Sequence, residues 1–509
     1  MRVFLAVLIC KILYFIGSKM GRGSSLSGQI ALKICPGVLK RLRLPKTIIA
    51  VTGSNGKTST AELIARALTE NGKSVGWNHE GSNQTEGIAT LLLRIATFGG
   101  KVRRDALVLE CDERYARYIF EDVKPSVVVV TNLCRDQLTR NGHPEFISDC
   151  IRNAIEAQSA SAPACLVLNA DDPYVSALVL THRPPDTGRD APALLYGVAG
   201  RIPLPTDIAF GAPDYINRND VGRDALGAPD YGSLKEKSEK IAVGNRVVWF
   251  GVGSAVVDGP GRRGMYDDGA FCPVCKSRMT YEYRIAGHYG KYNCSRCGHY
   301  RNTPDIEVAG LDIQSGETAI SFSGGSITTR LTLPSLTGAY NLAAAIAAAE
   351  AAGVSAQDAA RALDGYELRG GRTIRFSAGA REGILLISKH ENSLSYNQSM
   401  AWTVLQRKPC TVIVLVDAIS RKYYTSETSW LWDIDFDILA DDNVREVMLA
   451  GRYSNELMAR AAMSAIPPEK CRSISDLSSL REYVGQSCAD SVYAITCFSD
   501  KAKLLKAFE

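Results

Sequence analysis

Neither sign of charge dominates this chain: 59 Lys and Arg stand against 54 Asp and Glu, leaving +5 over 509 residues. So mild a balance removes composition as an argument for a nucleic-acid or anionic-membrane partner, and partners must be read from motifs. A membrane-spanning run is also missing. Val3 to Ile9 and Ile12 to Ile16 are apolar, but Lys11 interrupts them and Lys19 and Arg22 follow, which is too short and broken to cross a bilayer. The positive, then apolar, then small-residue order of a cleaved export signal is absent. The N-terminus therefore reads first as an amphipathic or docked helix, and second as a shallow, peripheral contact with the inner membrane face. Fourteen cysteines without an export signal suggest a reducing, cytoplasmic setting where thiols stay free or bind metal, so no structural disulfides are expected. At 46% hydrophobic content the chain is long enough for about three domains with substantial cores.

The most informative stretch is Ile48-Ile49-Ala50-Val51-Thr52-Gly53-Ser54-Asn55-Gly56-Lys57-Thr58-Ser59-Thr60, an apolar strand entering a glycine turn, then Lys-Thr, then helix-like Ala61 to Leu68. Backbone N–H groups in such a turn converge at the head of a helix, where the dipole favours anions, and the lysine adds a mobile positive charge. The ligand expected is a nucleoside triphosphate. The first glycine of the general G-x-x-x-x-G-K-[ST] pattern is replaced by Val51, leaving the shorter Gly53-x-x-Gly56-Lys57-Thr58 form. A chance glycine turn before a helix is the bland alternative, but strand, turn, Lys-Thr and helix all fall in order.

From residue 47 onward strand-like runs alternate with helical ones, at Thr47 to Val51, Ala106 to Glu110, Val127 to Thr131, Leu166 to Asn169 and Leu194 to Tyr196. This is α/β patterning with a mostly parallel sheet. Between about residues 200 and 270 the texture turns to Gly, Pro, Asp and Arg, with Gly-Ala-Pro-Asp-Tyr twice, and reads as a loop-rich insertion. It ends in Cys272-Pro-Val-Cys275 and Cys294-Ser-Arg-Cys297, the paired spacing of a tetrahedral zinc ribbon. Two such pairs in one module favour structural metal over redox chemistry. A nucleic-acid role for the ribbon ranks low because charge is not concentrated there. An alanine-rich helix spans Ser335 to Gly353, Gly370-Gly371-Arg372 reads as a hinge, and the last part alternates again, with strands at Thr411 to Val416, Val447 to Ala450 and Val492 to Cys497.

Glu110 ends a strand beside the cradle and Thr58 supplies a hydroxyl, so together they could hold Mg²⁺, with Asp112 and Glu113 close in sequence. Solvated strand-end charge is the alternative for these acids. Thr131-Asn132, Arg135-Asp136 and Asn169-Ala-Asp171-Asp172-Pro173 place polar groups where such sheets bind ligands, at their carboxyl edge.

Thr52 to Thr58, Leu109-Glu110-Cys-Asp112-Glu113, Thr131-Asn132-Leu-Cys-Arg135-Asp136-Gln137-Leu138 and Leu168-Asn169-Ala-Asp171-Asp172-Pro173 resemble, in order and spacing, the central domain of Mur ligases. The four-cysteine insertion and Thr428-Ser429-Trp430-Leu-Trp432-Asp433 narrow the resemblance to MurT-type subunits of lipid II isoglutaminyl synthase. It implies an α/β fold with a Mur-ligase-type P-loop central domain, an inserted zinc ribbon and a C-terminal Rossmann-like α/β domain. The division expected is an N-terminal helical segment at 1–46, central domain at 47–200 and 305–368, insertion at 201–304 and C-terminal domain at 369–509.

The resemblance also implies ATP-dependent amidation of the D-glutamate α-carboxylate of lipid II, with ATP, Mg²⁺ and Zn²⁺. Ammonia would come from a GatD-type glutamine amidotransferase in a heterodimer. Lys57 would stabilise the β- and γ-phosphates, Thr58 and Glu110 would hold Mg²⁺, Asn132, Asn169 and Asp171 would line the nucleotide side, and Asn341 and Arg372 would reach it later in the chain. In that family the ligase lends an aspartate to the amidotransferase from an acidic stretch before Ser-Trp. Here the nearest acid is Glu427, with Asp417 and Asp433 as the others. Two departures stand out: Lys389-His390-Glu391-Asn392-Ser393-Leu394-Ser395-Tyr396-Asn397 replaces a Lys-Asn-Pro motif, and Thr139 and Asn141 replace Asp and Tyr. The competing readings are a Mur-like ligase acting on another carboxylate, and a zinc-ribbon nucleic-acid-binding or scaffold protein. Intact Lys57, Thr58 and Glu110 argue against the last.

Overall fold

The computed structural model describes residues 1–19, 25–137, 141–159, 161–179, 238, 241–242, 244–256, 267–285, 287–332, 334–369, 373–378, 381–418, 428–487, 489 and 491–508. The strand expected at Leu194 to Tyr196, the Gly-Ala-Pro-Asp-Tyr repeat and the Gly370-Gly371 hinge lie outside these residues.

Strand β1 (Thr47–Thr52) shows why the chain folds as a layered sheet. Ile48 and Ala50 face one core and Ile49 and Val51 the other, and every residue after Thr47 is buried. A strand covered on both faces has no polar side to alternate with. It belongs with β2 (Val75–Trp77), β3 (Ala106–Glu110), β4 (Val127–Val130), β5 (Cys165–Asn169) and β6 (Arg246–Val252). A separate hairpin, β7 (Thr280–Ile285) and β8 (Tyr289–Asn293), precedes β9 (Ile306–Leu311), β10 (Glu317–Phe322) and β11 (Gly325–Arg330). The nine-stranded sheet runs β11-β10-β9-β6-β5-β4-β1-β3-β2. It is parallel from β2 through β9 and antiparallel only across β9, β10 and β11, so the mostly parallel sheet read from the sequence is present.

Helices α1 (Arg2–Lys19), α2 (Leu26–Ile34), α3 (Lys57–Glu70) and α4 (Thr85–Ile95) come early in the chain. α3 and the later helix Leu336–Ala351 cover one sheet face and α4 helps cover the other. The run Ala343 to Ala349, alanine throughout but for Ile346, is fully buried, and its small side chains let that helix lie close on α3. α1 docks on α2 and α4 through Ala6, Val7 and Cys10. Among the described residues no helix is long and apolar enough to cross a membrane.

The last part forms its own six-stranded sheet of β12 (Thr373–Ala378), β13 (Arg381–Ser388), β14 (Cys410–Leu415), β15 (Val444–Ala450), β16 (Cys471–Ile474) and β17 (Ser491–Cys497). Its order is β12-β13-β17-β14-β15-β16, parallel except for β12 against β13. The loops that follow β1, β3, β4 and β5 leave the larger sheet at one edge, the edge at which open α/β sheets bind ligands.

Candidate functional site

Glycine shapes the turn after β1 for a steric reason. Gly53 and Gly56 have φ of 124° and 82°, a region that side chains avoid. A Cβ on Gly53 would lie 2.3 Å from Thr131 Oγ1, and one on Gly56 2.3 Å from Asn341 Oδ1. Gly56 then opens α3, with Lys57, Thr58 and Ser59 in its first turn. Asn132 holds the turn from behind, accepting the Asn55 N–H at 2.9 Å and donating to the Asn55 carbonyl at 3.0 Å. Thr131 Oγ1 donates to the same carbonyl at 2.7 Å.

In front of the turn is a cavity of about 350 Å³, lined by Ser54 to Thr58, the stretch Glu80 to Gln84, Glu110, Asp112, Glu113, Gln137 and Lys389. Thr58 Oγ1 donates to Glu110 Oε2 at 2.8 Å and Asn83 donates to Glu110 Oε1 at 2.9 Å. This all-oxygen pair suits a hard cation such as Mg²⁺. Lys57 reaches past Glu110 to Glu113, with Nζ 2.5 Å from Oε1 and 2.5 Å from the Gly53 carbonyl. Burial works against its ammonium, but Glu113, Asp136 and Glu110 together outweigh that and hold its pKa above the ordinary lysine value.

The C-terminal sheet supplies the remaining wall. Lys389, just beyond β13, donates to the Ser54 carbonyl at 2.7 Å and pairs with Asp136. Asn392 Nδ2 donates to Asp136 at 2.9 Å, while its Oδ1 caps the helix Ser393–Leu405 through the Ser395 N–H at 2.7 Å. The Gln137 N–H donates to the Glu391 carbonyl at 3.1 Å, and both residues hold left-handed backbone, at φ of 46° and 50°. Two such residues meeting at one contact is local strain concentrated beside the cavity.

Several expected residues lie behind the turn, outside the lining of this cavity, with Asn341 against Gly56. Asn169, Asp171 and Asn341 do not line this cavity. Asn169 donates to the Thr131 carbonyl at 2.9 Å, and Asp171 is fully buried, accepting from Arg301 Nε at 2.5 Å, Tyr340 at 2.7 Å and the Val252 N–H at 2.8 Å. Burial raises the Asp171 pKa against the pull of Arg301. These residues brace the loops behind the cradle, a position that strand-end spacing alone does not separate from direct contact. Asp172 caps the short helix Pro173–Ser176 and accepts the Leu133 N–H at 2.6 Å, with His288 Nε2 3.3 Å away.

Of the candidate acids late in the chain, Asp417 pairs with Lys503 and accepts the Arg452 N–H at 2.9 Å. Burial pushes its carboxyl up, but these donors prevail and lower it. Asp433 lies 3.5 Å from Arg135, whose Nε donates to Asp268 at 2.9 Å. Burial raises Asp433, with Arg135 opposing. The two belong to separate clusters and neither lines the cavity. Glu427 and Arg372 lie outside the described residues. Cys272, Cys275, Cys294 and Cys297 come together with all four sulfurs within 4.8 Å of one another, a group that could hold a metal ion.

Sequence reasoning named Glu113 only as a neighbour of Glu110 and left Asp136, Lys389 and Asn392 without a role. All four lie inside the motifs it quoted. Asn83, Arg301 and Tyr340 carried no signal.

The Mur ligase middle domain matches residues 51–187 and the MurT ligase C-terminal domain matches residues 390–500. The chain is 26% identical over 489 residues to the lipid II isoglutaminyl synthase (glutamine-hydrolyzing) subunit MurT of Streptococcus pneumoniae, covering 96% of this chain and 92% of that one. It is 23% identical to the corresponding Staphylococcus aureus subunit, covering 92% and 89%. In fold it resembles a pseudomurein peptide ligase type C from Methanothermus fervidus, with a TM-score of 0.60 and 16% identity over 92% of this chain and 80% of that one. It also resembles the MurF ligase from Thermotoga maritima solved with ADP, at 0.56 and 14%, over 95% and 83%. With its phosphate turn and its paired sheets, the chain carries a Mur ligase middle domain followed by a MurT ligase C-terminal domain, and over nearly its whole length it is similar to MurT subunits.

Proposed function

We propose that this chain is the ATP-dependent, amide-forming ligase subunit of a lipid II isoglutaminyl synthase. The observation that carries the reading is the complete cradle of Gly53, Gly56, Lys57, Thr58 and Glu110, closed by Lys389, in a chain similar over nearly its whole length to MurT subunits. The substrate is the D-glutamate α-carboxylate of the stem peptide. A carboxylate oxygen attacks the γ-phosphorus of ATP, ADP departs, and an acyl phosphate remains. Ammonia then attacks the acyl carbon, phosphate leaves with the C–O bond, and nitrogen loses a proton to give the amide.

Phosphoryl transfer asks a protein mainly for positioning and charge neutralisation. Lys57 released from Glu113 meets the phosphates, and the turn's N–H groups fix them. Thr58 and Glu110 would hold Mg²⁺, which when bound neutralises phosphate charge. Asn132, Asn169, Asp171 and Asn341 keep the cradle in shape.

The S. pneumoniae relative is named as a subunit of a glutamine-hydrolyzing lipid II isoglutaminyl synthase. The reading accordingly includes a GatD-type amidotransferase partner that delivers ammonia, and a cytoplasmic setting. Glu427, Asp417 and Asp433 are its candidate acids for that partner, and Arg372 its candidate late nucleotide contact. The domain division at 47–200, 201–304, 305–368 and 369–509 is part of the same reading.

Zinc fits the cysteine cluster. The Cys272–Cys297 and Cys275–Cys294 sulfurs are 3.6 and 3.5 Å apart. A tetrahedron with Zn–S bonds of about 2.3 Å has edges of about 3.8 Å.

The test is phosphate release from ATP and Mg²⁺ by purified protein supplied with lipid II and ammonium, with Lys57→Ala as control. Lipid II-dependent release with a product about 1 Da lighter supports the reading, as an amide replaces an acid. ATP binding without turnover in the presence of the amidotransferase points to another carboxylate, and no ATP binding refutes the enzyme.

A further inference from the structure

α1 is apolar on both of its long faces, and the protein covers only one. Ala6, Val7 and Cys10 turn onto α2 and α4. Phe4, Leu5, Ile12, Phe15 and Ile16 face out, each more than two-fifths exposed. At about 3.6 residues per turn these five fall on a single stripe. Phe98 widens it, exposed as well and with its ring 5.5 Å from that of Phe4. With Met1, seven of the fifteen exposed large hydrophobic residues among the described ones are gathered here. A docked surface helix ordinarily turns polar residues outward, so a stripe of this kind is a surface to be covered.

Charge says by what. α1 has no acidic residue but has Arg2, Lys11 and Lys19. The Lys11 ammonium sits 5.4 Å over the Phe98 ring and that of Lys19 4.6 Å over the Phe15 ring, so the cations are interleaved with the apolar stripe. Aromatic and aliphatic side chains on one face with lysines among them match a layer whose interior is apolar and whose boundary is anionic. Because no described helix is long and apolar enough to cross, the helix would lie in the surface plane.

We propose that α1 seats this stripe shallowly in the surface of an anionic lipid bilayer. The site lies beside it. Tyr14 of α1 bonds to Glu80, Arg94 donates to the same carboxylate at 3.0 Å, and Glu80 lines the cavity in front of the phosphate turn. Lipid seating therefore brings the cavity mouth close to a bilayer. The lipid contact goes beyond the amidation reading and stands or falls separately from it.

The test is co-sedimentation of the full chain with vesicles of phosphatidylglycerol and phosphatidylcholine, against phosphatidylcholine alone. The wild type is expected to pellet with the anionic vesicles. A Phe4→Ser, Ile12→Ser, Phe15→Ser variant is expected to bind at least about tenfold more weakly. Lys11→Ala with Lys19→Ala should lose the preference for anionic lipid. The altered side chains are exposed, Lys11 alone being half-buried, and both variants should keep the wild-type melting temperature. A wild type that stays in the supernatant, or a triple variant that binds equally well, overturns the proposal. So does a dimer, seen by sedimentation velocity, that the triple variant disperses, because a second copy then covers the stripe. Phosphate release from ATP, measured without vesicles, reports on the enzyme independently.

Discussion

Lys57 directs its ammonium at Glu113, 2.5 Å from Oε1, with both side chains almost wholly enclosed. The carboxylate occupies the lysine that a phosphate would need, so nucleotide binding exchanges one anion for another. Lys57→Ala leaves Glu113 buried without its cation, and breaking a buried pair in this way costs about 3–5 kcal/mol. We expect a lower melting temperature and a loss of phosphate release of roughly 10²–10³-fold. Glu113→Gln removes the competitor. Calorimetry should then show ADP and ATP bound roughly threefold to tenfold more tightly, since a like charge beside the phosphates is gone. Unchanged or weaker affinity would refute the exchange.

Lys389 ties the second sheet to the phosphate turn through the Ser54 carbonyl and Asp136. Lys389→Ala should raise the KM for ATP and lower turnover by about tenfold, as expected when a positioning contact on a closing element is lost. Lys389→Arg should recover part of it. Steady-state kinetics on both variants, with small-angle scattering to follow how far the last sheet separates, check this. Equal kinetics for wild type and Lys389→Ala would remove the residue from the site.

The four-cysteine cluster predicts about one zinc per chain by atomic emission. Cys294→Ser should lose that metal and unfold at a lower temperature, because metal affinity in such modules is folding free energy. Full zinc content in the variant, or none in the wild type, contradicts the assignment.

His288 is buried beside Asp172, at 3.3 Å but without the alignment of a hydrogen bond. Burial disfavours the imidazolium, yet Asp172, helped by Asp268 and opposed by Arg284, raises its pKa above 6.5. A group whose folded pKa exceeds its unfolded value contributes stability that is complete below about pH 6.5 and is lost as pH rises through the folded value. The melting-temperature gap between wild type and His288→Gln should therefore be widest near about pH 6 and narrow toward about pH 9. A gap constant over that range would show that packing against Tyr174 and Tyr289, not charge, sets the contribution of His288.

The phosphate turn was readable because its chemistry is local: positive-φ glycines, a lysine and a threonine within a few residues of one another. The cysteine pairs were readable for the same reason, and the parallel strands from their unbroken apolar runs. What sequence could not assign was choice among neighbours. Glu110 and Glu113 stand together in the chain, yet the end of the strand directs Glu110 to Thr58 while the turn beyond it directs Glu113 to Lys57. Asn169 and Asp171 sit at a strand end, as nucleotide contacts do, but Arg301 and Tyr340, 130 and 169 residues away, enclose Asp171. No spacing rule reaches that far. The pairing of Lys389 with Asp136 was hidden because its motif departs from the family pattern.

The contact between Lys389 and Ser54 joins residues 335 apart in the chain. Strands β1 to β6 have all been made long before Lys389 leaves the ribosome, so the cradle is shaped early but completed last. Contacts of such separation form late in folding. A chain ended before Lys389 would retain the phosphate turn yet leave Ser54 and Asp136 without their cation. Synthesis order alone thus withholds a finished ATP site from any fragment that stops short of β13 and the Lys389 that follows it.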